Sequence, residues 1–253
     1  FLKSEVKALS SKIITIWGGK HSGKTTFAVN LACALAKRNN LVGLISSNLT
    51  YGELQIFFGQ EVPPDKGLFQ ALDAENPNIG EKFIECEENK NLFFLSAPTH
   101  YSGLQCDTVT IEEVEGMANA ASLVFDFLIV DGAAEVSNSV SSVGLWLADT
   151  ILTLHRPSIA AQMWYKGISD FMRELHLAEK QTHILLAPNG EFDDKAYRSM
   201  MELNFAYELP YIRRSCELEN AGTPLYLFND RLCRRYGKVL EHIAGEICGG
   251  EKV

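Results

Sequence analysis

The chain has 253 residues, 46% apolar and 22% charged, enough to bury one substantial α/β core without demanding a second domain. Its net charge of −9, with a sequence pI near 5.2, opposes broad attraction to a polyanion and disfavours nucleic acid as a partner. No apolar run approaches the ~18 residues that span a bilayer, no signal peptide is visible, and six scattered cysteines lack a C-x-x-C pair, so a soluble, cytoplasmic protein with reduced thiols is expected.

In chain order, residues 1–11 (FLKSEVKALSS) read as a polar lead-in beginning with Phe1, the expected tail of a missing N-terminal domain, and 1–253 reads as one domain. The apolar run KIITIW predicts a strand, and GGKHSGKTT at 18–26 follows it. The spacing G-x-x-x-x-G-K-T is that of a phosphate-binding loop: Gly18 and Gly23 let backbone N–H groups turn inward towards phosphate oxygens. Lys24 is expected at the β and γ phosphates, Thr25 at Mg²⁺, and the helix TTFAVNLACALAKR adds its positive end to the same anion.

LVGLIS at 41–46 predicts a second strand, and GELQIFFG a short apolar helix after it. NLFFLSAP and FDFLIVDG are compact apolar runs ending in turn residues, as buried parallel strands should. Between them TIEEVEGMANAASLVF predicts a helix, since Thr110 and Glu113 have capping-box spacing. FLIVDG also delivers Asp131, a carboxylate suited to Mg²⁺ or its water ligands. DTILTL and THILLAPN continue the strands, with a helix between them from about Ser158 to Leu177. A last helix places Leu232, Tyr236, Val239, Leu240, Ile243 and Ile247 on a buried stripe, and Arg231, Arg234, Arg235 and Lys238 on a basic face. The alternation predicts crossover connections and a mostly parallel sheet covered by helices on both faces, with ligands at the carboxyl ends of its strands. The six histidines show no metal-ligand spacing, and no hydrolase motif competes.

Nearly the whole chain resembles the MinD/ParA group of P-loop ATPases, which carry a deviant Walker A loop. FDFLIVD at 125–131 is similar to the group's late "yDyViiD" strand, and LADTILTL at 147–154 to the "AD" strand after it. ELQIFFG at 53–59 and FFLSAP are similar to further segments of the group. NFAYELPYIRRS resembles the strand that brings a proline beside the base. The resemblance implies ATP with Mg²⁺, phosphate contacts from Gly18, Gly19, Lys20, His21, Ser22, Gly23, Lys24, Thr25 and Thr26, Asn189 at the adenine, and Pro210, Tyr211 and Ile212 near the base. Within the group the likeness is to the CpaE/TadZ branch, which localises pilus assembly machinery.

Two departures accompany the match. The group's signature lysine, which reaches across a dimer to the partner's phosphates, lies five residues before the loop lysine. Here that position is Gly19, with Lys20 beside it as the substitute and His21 at a usual glycine. Relatives also end the second strand in "DxD", whose later Asp handles the attacking water, and a gapless alignment puts Ser46 and Asn48 there. An amide can hydrogen-bond water but cannot take its proton. The catalytic set is therefore read as Lys24, Asn48 and Lys20, with Thr25 and Asp131 at the metal and hydrolysis expected to be weak or absent. The expected role is a nucleotide-dependent localisation scaffold, an ATP-dependent homodimer with protein partners in a polar or pilus assembly at a cell pole or inner membrane face. The alternatives are an active partition-type ATPase moving DNA or cargo, and a division regulator bound to membrane through its last helix.

Overall fold

The computed structural model describes residues 11–72, 78–101, 108–187 and 193–249. β1 (Lys12–Gly18) leads through the glycine-rich loop into α1 (Lys24–Ala36), and β2 (Val42–Ser46) leads into α2 (Leu54–Phe58). The short helices α3 (Leu68–Ala71) and α4 (Ile79–Lys82) precede β3 (Ile84–Cys86) and β4 (Asn89–Leu95). Then come α5 (Ile111–Ser122), β5 (Phe127–Asp131), α6 (Ser139–Leu147), β6 (Thr150–His155), α7 (Ile159–Glu174), β7 (Gln181–Leu186), α8 (Asp194–Met201), β8 (Phe205–Leu209), α9 (Ser215–Glu219) and α10 (Arg231–Ile247).

The strands form one sheet in the order β3-β4-β2-β5-β1-β6-β7-β8. Every pairing is parallel except β3 with β4, which is antiparallel. β2 and β5 are buried at every position, because helices cover both faces and neither can be polar. One face is closed by α1 and α10, where Phe27, Leu31, Tyr236, Leu240 and Ile243 join Ile14, Ile16 and Ile129. The other is closed mainly by α5 and α6, through Val114, Met117, Ala121, Val140 and Val143. α5 starts at the expected capping box: Glu113 N–H donates to Thr110 Oγ1 and Thr110 N–H donates to Glu113 Oε2, the latter at 2.8 Å.

One expectation for α10 is corrected. Leu232 is 44% exposed, and Cys233 takes the buried place. Asp230 caps the helix by accepting from the N–H groups of Leu232 and Cys233, and Cys233, three residues before Tyr236 and seven before Leu240, lies on the buried stripe while Leu232 lies at its exposed edge. Arg231, Arg234, Arg235 and Lys238 form the exposed face, as read. Among the described residues no helix is long and apolar enough to cross a membrane.

Towards the far edge, His155 on β6 lies buried between Tyr197 and His183, with its Nδ1 3.1 Å from the Tyr197 hydroxyl and its Nε2 3.1 Å from His183 Nδ1. Burial pushes His155 down to about 3, helped by His183, and His183 itself down to about 4. The unfolded chain takes up these protons near pH 6.5, before the folded chain does. The stability tied to the pair is therefore complete above about pH 6.5 and falls as pH drops towards 4, by up to about 1.4 kcal/mol per pH unit for each histidine. Denaturant unfolding of the wild type minus that of a His155→Phe/His183→Phe variant, which cancels the other titrating groups, should show this loss between pH 6.5 and 4; a flat difference would refute it.

Candidate nucleotide-binding site

The site begins with a close approach. A Cβ on Gly18 would lie 2.6 Å from both the Leu154 carbonyl oxygen and Ser22 Oγ, so a side chain there would displace the loop from β6. Gly23 sits at φ 85° and ends the loop as the N-cap of α1 with no side-chain cap, which leaves the first helical N–H groups free for an anion. His21 holds φ 58° without being a glycine. Ser22 Oγ is buried without a hydrogen-bond partner.

Lys24 Nζ donates to the Gly19 carbonyl at 2.9 Å. Burial lowers its affinity for the proton, opposed by the charges of Asp131, Glu53 and Glu135. Asp131 comes to the same place because parallel pairing sets it beside Ile16 of β1 and Ser46 of β2. Its carboxylate hydrogen-bonds Thr25, but its Oδ1 is buried without a partner. Burial, then the charge of Glu53, pushes Asp131 up to about 7, with Thr25 and Lys24 acting the other way.

The structure adds residues that sequence reasoning missed. Half-buried Glu53, the N-cap residue of α2, has Oε1 3.4 Å from Thr25 Oγ1, while its Oε2 accepts from Asn48 Nδ2 at 3.3 Å. A signal for it existed: Glu53 is the one acidic residue between Leu41 and Phe58. Asn48 Oδ1 is committed to its own turn, accepting from Thr50 N–H at 3.0 Å, Thr50 Oγ1 at 2.7 Å and Tyr51 N–H at 3.3 Å. Glu219, only 8% exposed, hydrogen-bonds Thr26 and keeps its Oε1 without a partner; burial raises its pKa.

A cleft of about 530 Å³ is lined by His21, Ser22, Gly23, Lys24, Thr25 and Thr26, and also by Pro210, Tyr211 and Ile212 beyond β8. Loop and proline segment, 184 residues apart, thus line one cleft. Lys20 instead lines an adjoining cavity with Asn48, Glu53 and Glu135, and its Nζ pairs with Glu135 at 2.8 Å, both side chains exposed. Gly19 is buried at the bend, with Trp164 3.5 Å from where its Cβ would lie. Trp164 and Trp17, packed edge to face, donate to the carbonyls of Ala134 and Ala133 and so fix the loop after Asp131. Asn189 lies outside the described residues. No group of three or more His, Cys, Asp or Glu stands ready for a metal among the described residues, and Mg²⁺ needs none, because phosphates and waters supply most of its ligands.

No family model matches the chain. It is 21% identical over 248 residues to the septum site-determining protein MinD of Thermotoga maritima, covering 92% of this chain and 88% of that one. The solved MinD of Pyrococcus horikoshii complexed with Mg-ADP superposes with a TM-score of 0.76 at 18% identity, covering 96% of this chain and all of that one. A ParA family ATPase of Chlorobium tepidum superposes at 0.79 with 15% identity, covering 93% and 98%. The eight-stranded, mostly parallel sheet with its helices is thus the MinD/ParA P-loop fold, and the chain is similar in sequence to a MinD protein over most of its length.

Proposed function

We propose that the chain binds ATP with Mg²⁺ and acts as a nucleotide-dependent localisation scaffold that turns ATP over slowly. The observation that carries this reading is an uncapped helix start, a desolvated Lys24 and the partnerless Oγ of Ser22 at one cleft, with the partnerless Oδ1 of Asp131 on a carboxylate that hydrogen-bonds Thr25 of the same cleft. Such a set suits a magnesium-bound triphosphate: the loop from Gly18 to Thr26 would hold the phosphates, and Thr25 and Asp131 the ion. Bound there, the ion would neutralise charge on the β and γ phosphates. Pro210, Tyr211 and Ile212 line the same cleft, which suits the base, and Asn189 is assigned to the adenine by resemblance alone.

Slow turnover follows from the second strand's end. Asn48 has no basic oxygen, and its acceptor already serves Thr50 and Tyr51, so neither it nor Ser46 takes the proton of an attacking water. Lys20 can reach a partner's phosphates only by leaving Glu135, an exposed pair that costs little to break. An ATP-dependent homodimer, recruited from the cytoplasm to a pole or the inner membrane face by partners of a polar or pilus assembly, completes the reading. An active partition-type ATPase is the second reading, favoured by the exposed basic face of α10.

Mg·ATP binding and multiple-turnover hydrolysis measured on one sample separate them. Tight binding with little turnover is expected, with affinity lowered about 10- to 100-fold in Lys24→Ala, the loss of a charge-assisted contact. Brisk turnover by the wild type would favour the partition reading. Moving the carboxylate in Asn48→Asp/Glu53→Gln, which keeps the hydrogen bond between the two side chains, should raise turnover by about 10² or more, the lower range for a general base. No gain would clear Asn48 as the cause of slow hydrolysis.

A further inference from the structure

We infer that Glu53 is a third magnesium-site residue, its carboxylate joining Thr25 and Asp131 around the ion that accompanies the nucleotide, with Asn48 holding it in position. The inference rests on the Mg·ATP reading above and deepens it.

The argument starts from a proton count. Thr25 Oγ1 carries one proton but faces two carboxylates, hydrogen-bonding Asp131 and lying 3.4 Å from Glu53 Oε1. A good O–H···O bond is about 2.5 to 3.0 Å, so one hydroxyl proton, donated to Glu53 at this length, leaves the carboxylates of Glu53 and Asp131 repelling each other. A cation beside all three oxygens removes that repulsion. Asp131 Oδ1 supplies an independent observation: it is buried, on a residue only 3% exposed, and no donor reaches it. Lys24 is the nearby positive charge, but its Nζ is held at the Gly19 carbonyl. A small divalent ion taking one or two carboxylates, a hydroxyl and phosphate oxygens matches this donor set.

Asn48 explains why Glu53 stays. Its Oδ1 is fixed by three donors in the 48–51 turn, so its Nδ2 points one way, and Glu53 Oε2 accepts from it at 3.3 Å. An aspartate at 48 would have turned an oxygen towards Glu53 and expelled it. The amide at 48 and the carboxylate at 53 thus work as a pair: the carboxylate lost from the end of β2 reappears at the start of α2, displaced towards the ion. Glu53 borders both the nucleotide cleft and the cavity with Lys20 and Glu135.

The test is binding of a fluorescent, non-hydrolysable ATP analogue to the full chain as Mg²⁺ is titrated, with thermal unfolding as a second readout. Glu53→Gln should leave magnesium-free binding unchanged or tighter, since a negative charge near the phosphates is gone. It should raise the Mg²⁺ concentration for half-maximal effect about tenfold or more, the usual loss when a supporting metal-site group is removed. Glu53→Asp should lie between the two, and Asn48→Ala should shift the midpoint in the same direction by less. The stabilisation that Mg²⁺ adds to the nucleotide-bound protein should shrink in parallel. An unchanged Mg²⁺ midpoint in folded Glu53→Gln overturns the inference, as does equal loss of binding with and without Mg²⁺. A wild type that binds no analogue under either condition overturns the Mg·ATP reading itself.

Discussion

Parallel pairing of β1 with β5 and β6 is the constraint on which the site depends. Because these strands run the same way, Gly18, Asp131 and Leu154 arrive at one edge, with Ser46 of β2 beside Asp131. A parallel sheet must send its chain back through helices, so this edge is also where α1 starts, and its free N–H groups face the same volume. Charges that would repel one another elsewhere are held together by backbone hydrogen bonds made far from them. The close contact between Gly18 and the Leu154 carbonyl then fixes how near the loop lies to the sheet.

What the sequence made legible was local. The loop, its lysine, the capping box at Thr110 and the aspartate ending FLIVD each depend on residues a few positions apart, and each lies where the spacing put it. The parallel order followed from the alternation of apolar runs, except that β3 turns back on β4 through a short hairpin no wider pattern announced. Glu53 was hidden for another reason. It sits in a segment read for its apolar residues as a short helix, and only the fold of the 48–51 turn brings its carboxylate to Thr25. Glu219 was hidden by distance, being 193 residues from the Thr26 it bonds. Leu232 shows a smaller limit: at the end of a helix stripe, positions three and four residues away both fit the apolar spacing, and here the cysteine rather than the leucine takes the buried one.

The polar groups around the loop share a property. Ser22, Asp131 and Glu219 are buried polar side chains, each with an atom that lacks a partner, and all lie around the loop. Leaving a buried polar atom unsatisfied costs about 1 to 3 kcal/mol, more for a charged group, which is large beside the total stability of a domain. A chain that keeps several such groups together, while its sheet and helices are packed elsewhere, concentrates its unfavourable terms in one place. In the proposed Mg·ATP reading their relief comes from outside: an anion with its cation would offer acceptors to Lys24 and the helix start, and positive charge to Asp131 and Glu53. Binding free energy and stability are therefore linked at this edge, since a ligand that satisfies these atoms binds only the folded chain. The segment best placed to register the change is the 48–53 turn, because the long bond from Thr25 to Glu53, at 3.4 Å, ties it to the loop, while the 3.3 Å bond from Asn48 to Glu53 lies within the turn. A turn tied to the loop by one long bond can shift with the charge beside it, which is the part that the proposed scaffold reading gives it.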